Sequence, residues 1–129
     1  MIQEAYVSFE TAKLLKEKGF DENTLMVYMS YGDLCKCNRY DSIHNSNYND
    51  ITKNYFECTA PTHQMAMAWL REHKIYIMID RSWSMEDSWQ YCICVNNDFD
   101  HLIQQDSIPN RTYEEAVETA LKYVLKNLI

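Results

Sequence analysis

Glycine and proline are nearly missing from this chain: two of each occur in 129 residues. That leaves little room for flexible linkers, and residues 1–129 read as a single domain of ordinary size. No stretch approaches the roughly 18 apolar residues of a membrane span, so no membrane association is expected. A basic excess is also missing. The formal net charge is −7, from 19 acidic and 12 basic residues spread over both halves. Sequence-independent nucleic-acid binding needs Lys and Arg to neutralise phosphates, so this balance argues against a nucleic-acid partner. The opening MIQEAYVSFE has no charged region followed by an apolar run. No signal peptide is expected from it, and the expected location is cytoplasmic, with reduced thiols.

What is present is a substantial apolar content, 47%, with 13% aromatic residues that include ten tyrosines. A disordered chain is poor in both. A domain of this length buries roughly two-thirds of the surface its unfolded chain exposes, so it needs no staples.

The clearest pattern lies in the second half. Thr112-Tyr113-Glu114-Glu115 has the form of a capping box, in which Glu115 reaches back to the amide of Thr112. Ala116, Val117, Ala120, Leu121, Val124, Leu125 and Leu128 then make an apolar stripe, which predicts a helix over 112–127. Met65, Ala66, Trp69, Leu70 and His73 predict another over 61–73, with Pro61 in its first turn. Between them, Ile75, Ile77 and Ile79 alternate with Tyr76, Met78 and Asp80. Trp89, Tyr91, Ile93 and Val95 alternate with Gln90, Cys92 and Cys94. Both are strand patterns, and a third strand is expected within 99–105.

In the first half, Ser8 and Gly19 bracket a short amphipathic helix at 8–18. Residues 25–40 alternate around Gly32-Asp33, as a hairpin does. Residues 41–54 are rich in Asn, Asp and Ser and read as a long loop; 55–58 reads as a brief strand. The expected fold is α+β. One mostly antiparallel sheet of three to five strands packs on the two main helices, 61–73 and 112–127, beside the short N-terminal helix. Trp69, Leu70, Ile75, Ile77, Ile79, Tyr91, Ile93, Ala116, Val117, Ala120, Leu121 and Val124 are the expected core.

Three segments, YVSFETAKLLKEKGFDE at 6–22, APTHQMAMAWLREHK at 60–74 and TYEEAVETALKYVLKNLI at 112–129, resemble a family of small proteins carried by phages and mobile elements of Bacteroides-type bacteria. The resemblance implies a phage or prophage protein in a bacterial cytoplasm. The family is one of unknown function, so it transfers no activity, cofactor or site residue. The order helix, three strands, helix is also that of double-stranded-RNA-binding domains, which need lysines at the start of the last helix. Thr112, Glu114 and Glu115 stand there instead. Three strands and a Tyr-Glu-Glu-Ala helix also resemble certain toxin-neutralising antitoxins, at the level of fold alone.

Candidate chemistry is sparse. Cys35 with Cys37, and Cys92 with Cys94, are C-x-C pairs that a strand would turn to one face, and two such pairs could offer zinc four sulfurs. Structural zinc sites favour C-x₂₋₄-C turns, and buried free thiols are the commoner fate of such cysteines. Asp98, Asp100, Asp80 and Asp106 could suggest a Mg²⁺ cluster, but such short acidic matches are frequent by chance. His44, His63, His73 and His101 are scattered, and no nucleophile and base stand at a recognisable spacing. No catalytic residue, cofactor or metal is therefore assigned.

Trp83 and Met85 fall in the connection 80–88 without a core period to explain them. Their types are enriched at protein interfaces, although loop residues of this kind also bury locally. The leading expectation is a non-enzymatic protein-binding module, with a protein partner or a homo-oligomer. The alternatives are a small metal-dependent enzyme and an antitoxin-like, nucleic-acid-associated regulator.

Overall fold

The computed structural model describes residues 1–36, 43–47, 56–82, 87–104 and 110–129. The architecture is α+β, with three helices and two three-stranded antiparallel sheets among these residues. The chain divides into two compact units, 1–62 with Ile129, and 63–128.

In the first unit, Ser8 caps α1 (Phe9–Glu17) by accepting from the amide of Thr11, and Gly19 ends it with φ +93°. Strands β1 (Met26–Met29) and β2 (Leu34–Lys36) form the expected hairpin. Its turn uses Gly32 at φ +95°, where an added Cβ would sit 3.2 Å from the Phe9 ring. Both the backbone and the neighbour therefore require glycine. Strand β3 (Phe56–Thr59) pairs with the other side of β1, giving the order β2-β1-β3.

One face of this sheet meets α1. The rings of Phe9 and Tyr28 lie 5.2 Å apart, and the Tyr28 hydroxyl donates to the carbonyl of Val7 at 2.6 Å. On the other face, Val27 and Ile43 are buried with Met29, Cys35 and Phe56 packed beside them. Of the expected loop 41–54, residues 43–47 are described. They are tied down by side chains: Asp21 accepts from the Ser46 amide and hydroxyl, and Asn45 donates to the Phe20 carbonyl.

In the second unit, α2 (His63–Glu72) begins two residues later than expected. Pro61 is not in its first turn, because the Pro61 carbonyl accepts from the amide of Val7 and Thr62 is bridged to Tyr6. Strands β4 (Ile75–Arg81) and β5 (Trp89–Val95) pair along their whole length. α3 (Tyr113–Asn127) then runs the expected course. Thr112 accepts from the Glu115 amide at 3.0 Å, but the Glu115 carboxylate meets the amide of Arg111, not that of Thr112.

Ala116, Val117, Ala120, Leu121, Val124 and Leu125 are fully buried, as are Ala66, Leu70 and Ile93. Each large aliphatic side chain so buried is worth roughly 1.5–3 kcal/mol over exposure.

Three expectations need correction. The strands do not form the one expected sheet of three to five: among the described residues the first-half hairpin forms a sheet of its own with β3, because β1 pairs on both sides. The third strand, expected over 99–105, is reduced among the described residues to β6 (Ile103–Gln104). Asn96 and Asn97 both take positive φ and close a tight turn, and the Asp98 carboxylate then accepts from the Asp100 amide and contacts His101. That local network curls residues 98–101 away from the ladder. Finally, Ile77 and Ile79 are half-buried, not core.

Candidate interaction site

The half-exposure of Ile77 and Ile79 follows from the position of their strand. The sheet order is β4-β5-β6, so β4 is an edge strand. Its sequence, Ile-Tyr-Ile-Met-Ile-Asp-Arg, is a strong strand former, rich in β-branched residues. The chain enters it through Lys74 at φ 61°, a left-handed residue carrying a Cβ, which costs roughly 1–2 kcal/mol. The Lys74 carbonyl accepts from the Asn96 amide at 2.9 Å, and at the far end the Ser82 amide donates to Ser88 at 2.9 Å.

These two bonds set the phase of the ladder. In an antiparallel pair, bonded and non-bonded residue pairs alternate. With 74 opposite 96 and 82 opposite 88 both bonded, Tyr76, Met78 and Asp80 turn their backbone groups to β5. The N–H and C=O groups of Ile75, Ile77, Ile79 and Arg81 point the other way, along the outer edge. Among the described residues, no strand pairs with that edge.

The other edges differ. Among the described residues, β2 has three residues and carries Lys36, and β6 has two. β3 runs beside β1 with a break in register, its Thr59 amide donates to Asn45 Oδ1, and its Glu57 carbonyl accepts from Lys16 Nζ at 2.6 Å. Short length, an edge lysine, an irregularity and side-chain cover are the usual means of blunting an edge. β4 has seven residues in unbroken register, with no proline or lysine.

On its helix-facing side, β4 sets Ile77 against Ile93 and Ile79 against Tyr91. At its end, Arg81 lies over the Trp89 ring at 5.4 Å, and that ring meets Tyr113 edge-on at 5.4 Å. This holds the strand terminus in place. On the opposite side, Met78 is 38% exposed. Asp80, Gln90, Cys92 and Gln104, with Tyr91 between two of them, line an open depression of about 210 Å³.

Of the cysteine candidates, Cys35 lies in β2, half-buried beside Val27, while Cys92 and Cys94 lie in β5. Burial pushes the Cys92 thiol up, reinforced by Cys94 and Asp80. A raised thiol leaves less of the nucleophilic thiolate at a given pH. Cys37, Trp83, Met85 and Asp106 lie outside the described residues. No group of three or more His, Cys, Asp or Glu side chains among the described residues could hold a metal ion.

The four histidines are separately engaged: His44 with Asp21, His63 with Glu118, His73 with the Trp69 carbonyl, and His101 with Asp98. Two features escaped the sequence reading. One is the buried His63–Glu118 pair, which no spacing rule connects across 55 residues. The other is the edge position of β4, which its composition did not signal, since lysine and proline, the usual marks of an edge strand, are absent from it. No helix among the described residues is long and apolar enough to cross a membrane. No family model, curated protein or solved structure matches the chain.

Proposed function

We propose that this chain is a non-enzymatic protein-binding module that takes up an extended segment of a partner along the outer edge of β4. The observation that carries this reading is the seven-residue edge in unbroken register, with outward-pointing backbone groups at Ile75, Ile77, Ile79 and Arg81. Strand addition supplies main-chain hydrogen bonds, and alternate side chains supply selectivity. The half-exposed Ile77 and Ile79 offer apolar contact on one side of an added strand, and Met78 on the other. The family resemblance adds the setting: an accessory protein of a phage or mobile element, in a bacterial cytoplasm.

Ile79→Pro tests the reading. The Ile79 N–H points outward, so proline deletes a donor to the partner and none within the sheet. Crosslinked complexes of the wild-type chain should be lost in Ile79→Pro while its thermal midpoint stays near that of the wild type. Complexes captured equally by both would overturn it.

A further inference from the structure

We infer that the strand accepted by β4 is β4 of a second copy of this chain, paired antiparallel about a two-fold axis through Met78. The inference rests on the strand-addition reading and adds the identity of the partner. It comes from the register that the outward groups allow. Only Ile75, Ile77, Ile79 and Arg81 present N–H and C=O groups outward, so bonded pairs across a new interface must join members of this set. A symmetric contact must also match each residue with its counterpart reciprocally.

One register pairs the whole strand. With Met78 opposite Met78, Ile77 faces Ile79 and Ile75 faces Arg81 as bonded pairs, and Tyr76 faces Asp80 as a non-bonded pair. Two aliphatic pairs then meet on the helix-facing side. On the other side a thioether pair is flanked at each end by a phenol opposite a carboxylate. No like charges are opposed, and like charges directly across a ladder are destabilising. Shifting the axis to Asp80 or to Arg81 would oppose two carboxylates or two guanidinium groups. Shifting it to Ile77 or Ile79 leaves the far end of the strand unpaired.

The charges of this strand thus sit where full-length self-pairing tolerates them. Among the described residues the product is a continuous six-stranded antiparallel sheet in which neither β4 has an open edge, with β6 at each outer side. Closing the long edge in this way removes the aggregation hazard that an unprotected strand carries.

The test uses the full chain in sedimentation equilibrium from micromolar to near-millimolar concentration, with three variants. The wild type should shift from one-chain to two-chain mass. Met78→Lys places two ammonium groups across the axis and should weaken the dimer about tenfold or more. Its thermal midpoint under dilute conditions should be unchanged, since Met78 is on the solvent side. Met78→Cys should form a disulfide linking position 78 to position 78 on mild oxidation, because non-bonded antiparallel partners lie within disulfide reach, about 4.5 Å between Cα atoms. Tyr76→Cys should form no 76-to-76 link.

Peptide mapping separates these products from links among the five native cysteines. A wild type that stays one chain in mass at the highest concentration overturns the inference, as does a dimer indifferent to Met78→Lys or one lacking the 78-to-78 link. If the chain stays monomeric while Ile79→Pro abolishes capture of another protein, strand addition stands and the second copy falls. If neither dimer nor edge-dependent capture is seen, both fall.

Discussion

His63 Nε2 lies 2.9 Å from Oε1 of Glu118, joining the first residue of α2 to the middle of α3. Both side chains are largely buried, at 8% and 18% exposure. Removing one partner strands a desolvated polar group on the other, which costs about 1–3 kcal/mol. Glu118→Ala should lower stability by about that amount in urea denaturation. The double variant with His63→Ala should lose less than the sum of the single variants. Strict additivity would mean that the two side chains are not coupled.

Asp21 gives the first unit an acid-sensitive anchor. Desolvation acts to raise its pKa, but hydrogen bonds from the Ser46 hydroxyl and amide, together with His44, outweigh it and hold the carboxyl below its ordinary 3.8. A carboxyl with a depressed folded value stabilises at pH above its unfolded value and loses that contribution as pH falls through the folded one. Asp21→Asn should therefore be less stable than the wild type at pH 7, with the gap closing below about pH 4. A gap that does not change with pH would show that the carboxylate charge is not what holds residues 43–47.

Cys58 is buried in β3 and burial pushes its thiol up to about 12, the nearby Lys16 notwithstanding. The thiolate is the reactive form, so this residue should resist alkylation at pH 8 in the native state and react once denaturant unfolds the chain. The raised value has a pH consequence with a definite sign. Stability from keeping the thiol neutral is intact below pH 9 and is lost as pH rises from about 9 towards about 12. Cys58→Ala should flatten that alkaline decline. Equal labelling rates for native and unfolded protein would contradict the burial argument.

Leu121 is fully buried in the stripe of α3. Leu121→Ala should cost about 2–5 kcal/mol, through lost transfer energy and the cavity left behind. Leu121→Asp should abolish folding, because an unpaired charge there has no compensating partner. Circular dichroism with thermal melting reads both; an unchanged midpoint for the aspartate variant would remove Leu121 from the core.

Helices α1 and α3 were legible because their caps are local. Ser8 and Thr112 do satisfy amides three residues on, and Gly19 does stop α1 with a positive φ. Strands β4 and β5 were legible from two-residue alternation. The third strand was overestimated because alternation at 99–105 carries no information about Asp98, whose carboxylate competes for the backbone and curls the turn. Of the candidate site residues, the cysteine pairs were named by spacing. Spacing could not report that burial would push the Cys92 thiol up.

The amino-acid sequence by itself determined the α+β class, the long helix with its apolar stripe and the aliphatic strand Ile75–Arg81, because caps and periodicities are short-range and one-dimensional. Only the tertiary structure decided that β1 would sit centrally in a sheet of its own and that β4 would lie at an edge. Which strand neighbours which depends on contacts remote in sequence, and hydrophobic alternation is the same for a strand with one neighbour as for a strand with two. The side chains of β4 could be read in advance; the direction of its unused backbone groups could not.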